Sequence, residues 1–221
     1  MSKSNRLQPE LPEDLNEVED FNFYASDFLL EDLAITEVNV RESVIEDAMF
    51  DRLEIRNSIF EKCEFINCKF ENATFIDVLF RSCDLSGSNF TSSYFERCQF
   101  DSCKGLGINM SDTILKNISF NQSKLAYSIF DQARISDLLF SEVDFTEASM
   151  SEAKLKDFQA VESIFERNNF TKTMLANVDF TKNELKGPIF SSPPMELRGA
   201  TINMFQAAEL IGLWGVKVST L

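Results

Sequence analysis

The sequence contains no histidine, the side chain most used for proton transfer near neutral pH and a frequent zinc ligand. It also lacks a G-x-S-x-G motif and a phosphate-binding loop, and its carboxylates are spread along the chain rather than gathered in one region. These absences leave enzyme chemistry with little support. We predict that the protein is not an enzyme and that it binds no cofactor and no metal ion.

Long apolar runs are absent as well. No stretch approaches the roughly 18 consecutive apolar residues that a membrane-spanning helix requires. The segment from Met1 to Glu10 contains no hydrophobic stretch that could serve as a signal peptide. These features predict a cytoplasmic protein with no membrane association.

Large apolar residues recur instead at every fifth position. From Leu30 to Phe190, 31 of the 33 positions in this series are Leu, Ile, Val, Phe or Met, and 18 of the 22 Phe residues fall on multiples of five. Five residues turn an α-helix by about 500°, which would scatter the series around the helix, and on a flat strand the series would alternate between faces. The chain must therefore bend once per pentad and wind around a central axis as a solenoid.

A smaller residue precedes most of the large ones by two positions, and both should point inward, because a narrow interior must be densely filled. Ala160 stands at a large position, and the small position before it is occupied by Phe158. This exchange of a large and a small side chain conserves the volume of the core. Gly105 vacates the large position, and together with Gly107 it predicts a local bulge or kink. In a reducing cytosol, the cysteines at the small positions should be buried free thiols; they are Cys63, Cys68, Cys83, Cys98 and Cys103.

Individual pentads resemble a known repeat unit. The runs Cys83-Asp-Leu-Ser-Gly87 and Ala148-Ser-Met-Ser-Glu152 are similar to the A-(D/N)-L-x-x unit of pentapeptide-repeat proteins. The resemblance covers residues 28–202 and implies an all-β fold, a right-handed quadrilateral β-helix with four pentads per coil. We number its sides by their central residues: side 1 (45, 65, 85 and onward), side 2 (50, 70, 90), side 3 (55, 75, 95) and side 4 (60, 80, 100).

The two ends of the chain depart from the repeat. Residues 1–27 form an N-terminal arm and cap, in which an acidic, Pro-containing stretch up to about residue 20 predicts a flexible or extended arm. Phe21, Phe23 and Phe28 are predicted to cover the first coil. Residues 203–221 predict a short helix with Asn203 as its N-cap, followed by an apolar tail. We expect this segment to cap the last coil and to form a dimer contact through Phe205, Ile211, Leu213, Trp214 and Val216.

The whole chain, and its tail in particular, is similar to the Qnr-type quinolone-resistance proteins within this repeat family. The tail carries the resemblance in Leu197-Arg-Gly199, Gln206-Ala207 and Gly215-Val216. The absence of projecting loops makes the chain more similar to the loop-less chromosomal members of Gram-positive bacteria. The resemblance implies a homodimer, joined through its C-terminal segment, that binds DNA gyrase and topoisomerase IV and protects them from quinolones.

The charge of the chain is strongly negative, with 36 acidic residues against 21 basic ones and a net charge of −15. Counted by register, sides 1 and 2 each carry −4 and sides 3 and 4 each carry −1. About nine coils would make a rod of roughly 43 Å, and B-DNA of that length carries about 25 negative charges. The rod could therefore act as a DNA mimic for a basic, DNA-handling protein, and direct binding to nucleic acid is disfavoured.

On this interpretation, the acidic residues of sides 1 and 2 are the predicted partner-binding residues. They are Glu46, Asp47, Asp51, Glu64, Glu71, Asp84, Asp131, Asp144, Glu147 and Glu152. An alternative remains open, in which the chain is an acidic scaffold or interaction rod, or an immunity or regulatory factor, and its acidity only keeps it soluble.

Overall fold

The computed structural model describes residues 6–213 and 215–219. Most of this chain is short parallel strands that pair with a shift of twenty residues, so that Phe75 lies beside Phe95 and Phe95 beside Leu115. Twenty residues are four pentads, and the repeats therefore form the predicted quadrilateral β-helix. The strands are β1 (Asn16–Val18), β2 (Ile35–Thr36), β3 (Val38–Arg41), β4 (Val44–Glu46), β5 (Glu54–Glu61), β6 (Glu64–Ile66), β7 (Thr74–Arg81), β8 (Tyr94–Asp101), β9 (Ile114–Asn121), β10 (Arg134–Ser141), β11 (Lys154–Val161), β12 (Ile164–Glu166) and β13 (Glu184–Lys186).

The longest strands join sides 3 and 4 into one sheet, in the order β1-β3-β5-β7-β8-β9-β10-β11, with β2 beside β5. On side 1, β4 pairs with β6 and β12 with β13, while isolated parallel bridges continue the coils elsewhere. The chain turns once per pentad because the residue two places after most large residues has a positive φ, as at Asn67 (53°) and Asn72 (57°). Short polar side chains tolerate this left-handed backbone better than β-branched ones do.

The large residues fill the interior as stacks of rings, each stack running along one side. Phe75 and Phe95 lie 4.6 Å apart between ring centroids, and Phe80 and Phe100 lie 4.8 Å apart, in both cases nearly parallel. Phe158 is buried beside Phe140, as the volume swap at Ala160 predicted. The spacing of five is thus confirmed as the core pattern of the repeats.

The predicted bulge at Gly105 is wrong. Gly105 keeps the regular ladder, donating its N–H to the Lys124 carbonyl at 2.8 Å, and Gly107 occupies an ordinary corner position with φ 66°. The space left by the missing side chain is filled by buried Ile108, which is larger than most residues at its position, and by Leu125. Neighbouring side chains therefore compensate for the glycine without a change in the backbone.

A helix rather than a coil covers the N-terminal end. Helix α1 (Phe21–Glu31) begins at Asp20, whose carboxylate accepts the Phe23 N–H, and it places Phe21 on the first coils. The role predicted for Phe21 is confirmed, and Phe28 is half-buried against the core. Phe23, however, is 71% exposed, and Leu30 is 85% exposed although it falls on the five-residue beat. Because α1 does not follow that beat, the inward series begins at Ile35.

The N-terminal arm is extended and lies against the rod. Strand β1 pairs with β3 in the first coil. The residues that precede β1 lie along the corner between sides 3 and 4. The Glu10 N–H donates to the Asp77 carboxylate at 2.9 Å, and the Leu7 N–H donates to the Asn117 side chain at 3.3 Å. We call residues 6–15 the strap. Its further anchors are Arg6, which forms an ion pair with Asp137 at 2.7 Å, and Asn57, which donates to the Glu10 carbonyl at 2.8 Å.

The corner residues that the strap covers are less exposed than the other residues on the same corner. On this corner, Glu37, Asp157 and Asn177 are exposed. The corner residues between them are all half-buried or buried; they are Asn57, Asp77, Arg97, Asn117 and Asp137. The strap therefore covers five consecutive coils.

At the other end, a short 3-10 helix (Met195–Leu197) precedes helix α2 (Met204–Leu213). The prediction of Asn203 as N-cap is confirmed, since its side chain accepts the N–H groups of Phe205 and Gln206 at 3.0 Å. Helix α2 is fixed to the last coil by Gln206, which donates to the carbonyls of Phe180 and Asn183. In the described part of the chain, no helix is long and apolar enough to cross a membrane.

Candidate partner-binding surface

Three of the predicted partner-binding residues form one exposed acidic group on side 1. Strands β4 and β6 pair so that Val44 lies opposite Glu64 and Glu46 opposite Ile66, which places Glu46 and Glu64 on either side of one inward column. Asp47 follows at the adjoining corner. All three carboxylates are exposed, and none forms an ion pair or side-chain hydrogen bond with a described residue. They are therefore free to meet a partner.

Two further predicted residues, Asp51 and Glu71, lie next to this group on side 2 but are half-buried. Asp51 accepts the backbone N–H of Glu71 at 3.0 Å, and the Glu71 carboxylate accepts the Asn89 amide at 2.8 Å. These carboxylates connect consecutive coils as well as adding negative charge. Their structural role means that substituting them would also disturb the coil stacking.

The remaining predicted residues lie farther along the rod, and each is engaged within the protein. The engaged groups are Asp84, bound to Ser86 and Lys104; Asp131, bound to Ser149 and Ser151; Asp144, bound to Thr146; Glu147, paired with Arg167; and Glu152, paired with Lys172. Sides 1 and 2 therefore do not present a continuous row of free carboxylates. The structure groups the first members of the predicted set and separates them from the rest.

The acidic charge is concentrated at one end of the rod, and this difference between the two ends is larger than the difference between the four sides. Residues 6–64 carry 17 acidic against 5 basic residues, a net charge of −12 out of −15 for the whole chain. All 17 acidic residues lie from Glu10 onward, in the part of the strap beside Asn57 and Asp77, in α1 and in the first coils, at one end of the rod. We call this region the acidic end. Counting charge by side overlooked it, although a running sum of charge along the sequence would have found it.

The corner under the strap contains a strong ion pair. Arg97 donates to both oxygens of Asp77 at 2.6 Å, and the Asp77 side chain is only 5% exposed. This bidentate contact raises the pKa of Arg97, because Asp77 stabilises the charged guanidinium. Asp77 also accepts the Glu10 N–H, so one carboxylate ties the strap to two coils.

The cysteines are buried and free, as predicted. Burial raises the pKa of Cys98 to about 12, so this thiol stays protonated and unreactive at neutral pH. Among the residues the structure describes, no group of three or more Cys, Asp and Glu could hold a metal ion. The thiols contribute to packing, and the candidate surface consists of carboxylates alone.

The apolar residues predicted for dimerisation lie at the opposite end from the acidic group. Phe205 is 79% exposed and Leu213 50% exposed, while Ile211 and Val216 are also exposed. Trp214 lies outside the described residues. An exposed apolar surface of this kind next to a docked helix is typical of a protein contact.

Comparisons with known proteins agree with this architecture. Residues 73–130 match the family model described as a pentapeptide repeat region. Full-length QnrB1, described as a plasmid-mediated fluoroquinolone resistance protein, superposes with a TM-score of 0.67 at 19% identity, covering 91% of this chain and 95% of that one. A trypsin-treated QnrB1 variant gives a TM-score of 0.66 at 21% identity, with 82% and 90% coverage.

A third solved structure has the same fold and another role. HetL from the cyanobacterium Nostoc sp. strain PCC 7120 is described as involved in the regulation of heterocyst differentiation. It gives a TM-score of 0.57 at 13% identity and covers 75% of this chain and 85% of its own. No curated protein sequence matches the chain significantly. The chain thus contains a pentapeptide-repeat region within a pentapeptide-repeat β-helix, and identities this low establish its fold alone.

Proposed function

We propose that this protein is a DNA mimic that binds DNA gyrase and topoisomerase IV and protects them from quinolones. The observation that carries the proposal is the acidic end, where a net charge of −12 lies on residues 6–64 and Glu46, Asp47 and Glu64 are exposed and unpaired. A DNA-binding groove attracts the negative field of the DNA backbone without reading its sequence, so a rigid acidic rod can occupy it.

The fold supports this proposal, because paired strands of stacked coils fix the backbone positions of Glu46 and Glu64. Adjacent coils lie about 4.8 Å apart, so a partner meets a rigid array of charge rather than a flexible acidic tail. Preorganised groups lose less entropy on binding than mobile ones. The resemblance to Qnr-type proteins supplies the particular partners and the link to quinolones.

We further propose that the protein acts as a homodimer joined through α2 and the residues after it. The exposed Phe205 and Leu213 support this arrangement. A two-fold contact there would place the two acidic ends at opposite ends of a longer rod. Such a dimer could present both acidic ends to a two-fold symmetric enzyme.

The second candidate is an acidic scaffold or regulatory rod that gives no quinolone protection. It is favoured by the likeness to HetL, which shows that this fold also occurs in a protein with a regulatory role. On that interpretation the acidic end keeps the rod soluble or binds an unrelated basic partner.

The deciding experiment is a gyrase supercoiling assay with ciprofloxacin at a fixed inhibitory concentration, into which the protein is titrated. Restoration of supercoiled product, weakening as salt rises, is expected for the DNA mimic. Failure to restore supercoiling at any protein-to-gyrase ratio would favour the scaffold. A parallel titration without drug reports whether the protein alone inhibits supercoiling.

A further inference from the structure

A basic face lies on side 3, where β9, β10 and β11 are neighbours. Its cations are Lys116, Arg134, Lys154 and Lys156, and all four are exposed. They stand out on a chain whose net charge is −15. Four cations on three successive strands make a compact positive surface about 10 Å across.

This face departs from the way charges are arranged elsewhere on the rod. Many basic residues in the described chain have an acidic partner twenty positions away, one coil along, as in Lys62 with Glu42 and Arg167 with Glu147. On the basic face, Arg134 lies directly opposite Lys154 on the neighbouring strand. Like charges directly opposite each other destabilise a sheet. Lys104 and Lys124 on side 1 also lie opposite each other, but there Asp84 pairs with Lys104, whereas the other neighbour of Arg134 is Ile114.

The carboxylates near this face leave most of its charge uncompensated. Asp137 is held by Arg6 of the strap at 2.7 Å. Lys116 donates to the Tyr94 hydroxyl, which in turn donates to Glu96. Arg134, Lys154 and Lys156 form no ion pair with any residue that the structure describes, so these three cations are available to a ligand.

The face also has an apolar floor. A shallow, open depression of about 360 Å³ lies among the cations, and its floor includes Ile114, Ile135 and Leu155. Leu155 occupies an inward position but is only half-buried, whereas its counterparts one coil before and after, Ile135 and Leu175, are buried. Part of an apolar side chain is therefore open to solvent at the centre of the basic face.

We propose that the basic face binds an acidic peptide segment of a partner protein, with two or three carboxylates placed around a single apolar side chain. The cations would pair with the carboxylates, and the apolar side chain would rest on Leu155. Arg134 adds the forked geometry that binds a carboxylate with two hydrogen bonds. An extended segment of three to five residues, at about 3.3 Å per residue, matches the width of the face.

A nucleic acid fits this face less well. A DNA duplex carries one negative charge per about 1.7 Å along its whole axis, so a duplex laid on this face would place phosphates beyond its edges. Its phosphates would then meet the exposed Asp112 and Asp157 at the edges. Nucleic acids also offer little to match the aliphatic floor. A short peptide contacts the cations and the floor while avoiding the flanking carboxylates.

The basic face and the acidic group lie on opposite sides of the rod, because side 3 is two pentads away from side 1. The inference therefore does not depend on the proposed function. If a partner did occupy the acidic end, the basic face would remain open for a second contact.

The test is fluorescence anisotropy with a fluorescein-labelled peptide, Gly-Asp-Glu-Leu-Glu-Asp-Gly, in low salt, where surface attraction is screened least. The double variant Arg134→Gln/Lys154→Gln should bind at least about tenfold more weakly, since each lost ion pair removes part of the attraction. The matched control Lys124→Gln/Lys182→Gln, which removes two exposed cations elsewhere, should change the affinity less than about twofold. Thermal unfolding followed by circular dichroism should show no loss of stability in either variant.

Two further arms test the chemistry of the ligand. A peptide with Ser in place of Leu should bind at least about threefold more weakly, because it leaves the floor uncovered. A single-stranded oligonucleotide of equal charge should compete poorly. The proposal is overturned if the peptide does not bind, if the two double variants lose affinity equally, or if the oligonucleotide is the better competitor.

Discussion

Asp77 and Arg97 form a two-pronged ion pair beneath the strap, with both nitrogen–oxygen distances at 2.6 Å. The same Asp77 oxygen that accepts from Arg97 Nε also accepts the Glu10 N–H. One nearly buried carboxylate thus joins the N-terminal arm to two coils of the rod. The strap and the β-helix are therefore coupled through Asp77.

We expect Asp77→Asn to lower the free energy of unfolding by about 2 kcal/mol, because Arg97 would keep its charge and lose its main partner. Urea unfolding measures this change. Hydrogen exchange should show faster exchange at the Glu10 amide, since its acceptor is weakened. The control Lys62→Gln breaks an exposed pair with Glu42 and should cost less than about 0.5 kcal/mol. Equal losses in the two variants would contradict the assigned role of Asp77.

Gly105 should be intolerant of even a methyl group. A Cβ at this position would lie 2.9 Å from Leu125 Cδ2 and 3.3 Å from Ile108 Cγ2. We expect Gly105→Ala to destabilise the fold by about 1–3 kcal/mol through overpacking. In the Ile108→Ala background, the same change should cost less than in the parent, because the contact with Ile108 is gone and the Leu125 side chain can move into the vacated space. A double-mutant cycle by urea unfolding checks this, and additive costs would mean that the two residues do not share that space.

The contrast between the core and the strap shows what could be read from the sequence. Buried residues such as Phe95 and Phe140 follow a repeat that every coil must satisfy, so the period predicted their burial. The strap is anchored through the backbone N–H and carbonyl of Glu10, and a backbone hydrogen bond leaves no trace in residue identity. Leu30 matches the five-residue spacing by coincidence. It lies in helix α1, which does not follow that spacing.

The candidate surface was predictable only in part. The register placed Glu46 and Glu64 together because it depends on the repeat alone. It could not tell which carboxylates would be engaged, as Glu147 is with Arg167, since side-chain pairing depends on rotamers and on the neighbouring coil. The net charge summed over the whole of side 3 also hid the basic face around Arg134, because the acidic residues of that side offset its cations.

Cys98 should make the fold less stable in alkaline solution. Its pKa is raised from 9.0 to about 12 by burial, so between these values the unfolded thiol loses its proton while the folded one keeps it. This contribution to stability is intact below about pH 9 and falls by about 1.4 kcal/mol per pH unit above it. Between about pH 8 and about pH 10.5, the free energy of unfolding measured in urea should fall by about 2 kcal/mol more in the parent than in Cys98→Ala. Equal losses would mean that the Cys98 pKa is not raised.

The C-terminal apolar surface should hold two copies together. Each chain has a mass of 25.2 kDa, and we expect sedimentation as a dimer of about 50 kDa. Phe205→Glu/Leu213→Glu should give a folded monomer, because both side chains are exposed while Gln206 still fixes α2 to the last coil. Met49→Glu, at the other end of the rod, should remain dimeric. A parent protein that sediments as a monomer at micromolar concentrations would exclude the dimer.

The position of the negative charge, rather than its amount, should determine protection of gyrase. The triple variant Glu46→Gln/Asp47→Asn/Glu64→Gln and its control Asp112→Asn/Asp157→Asn/Glu162→Gln, three exposed carboxylates outside the predicted set, each change the net charge from −15 to −12. Each exposed carboxylate contributes at most about 1 kcal/mol to folding, so both variants should remain folded. In the ciprofloxacin supercoiling assay, the first should require at least about tenfold more protein for half-maximal protection and the control less than about threefold. The difference should narrow as salt rises, because the Debye length falls from about 10 Å at 0.1 M to about 3 Å at 1 M. If the two variants protect as well as the parent, the carboxylates serve solubility and the scaffold interpretation is the correct one.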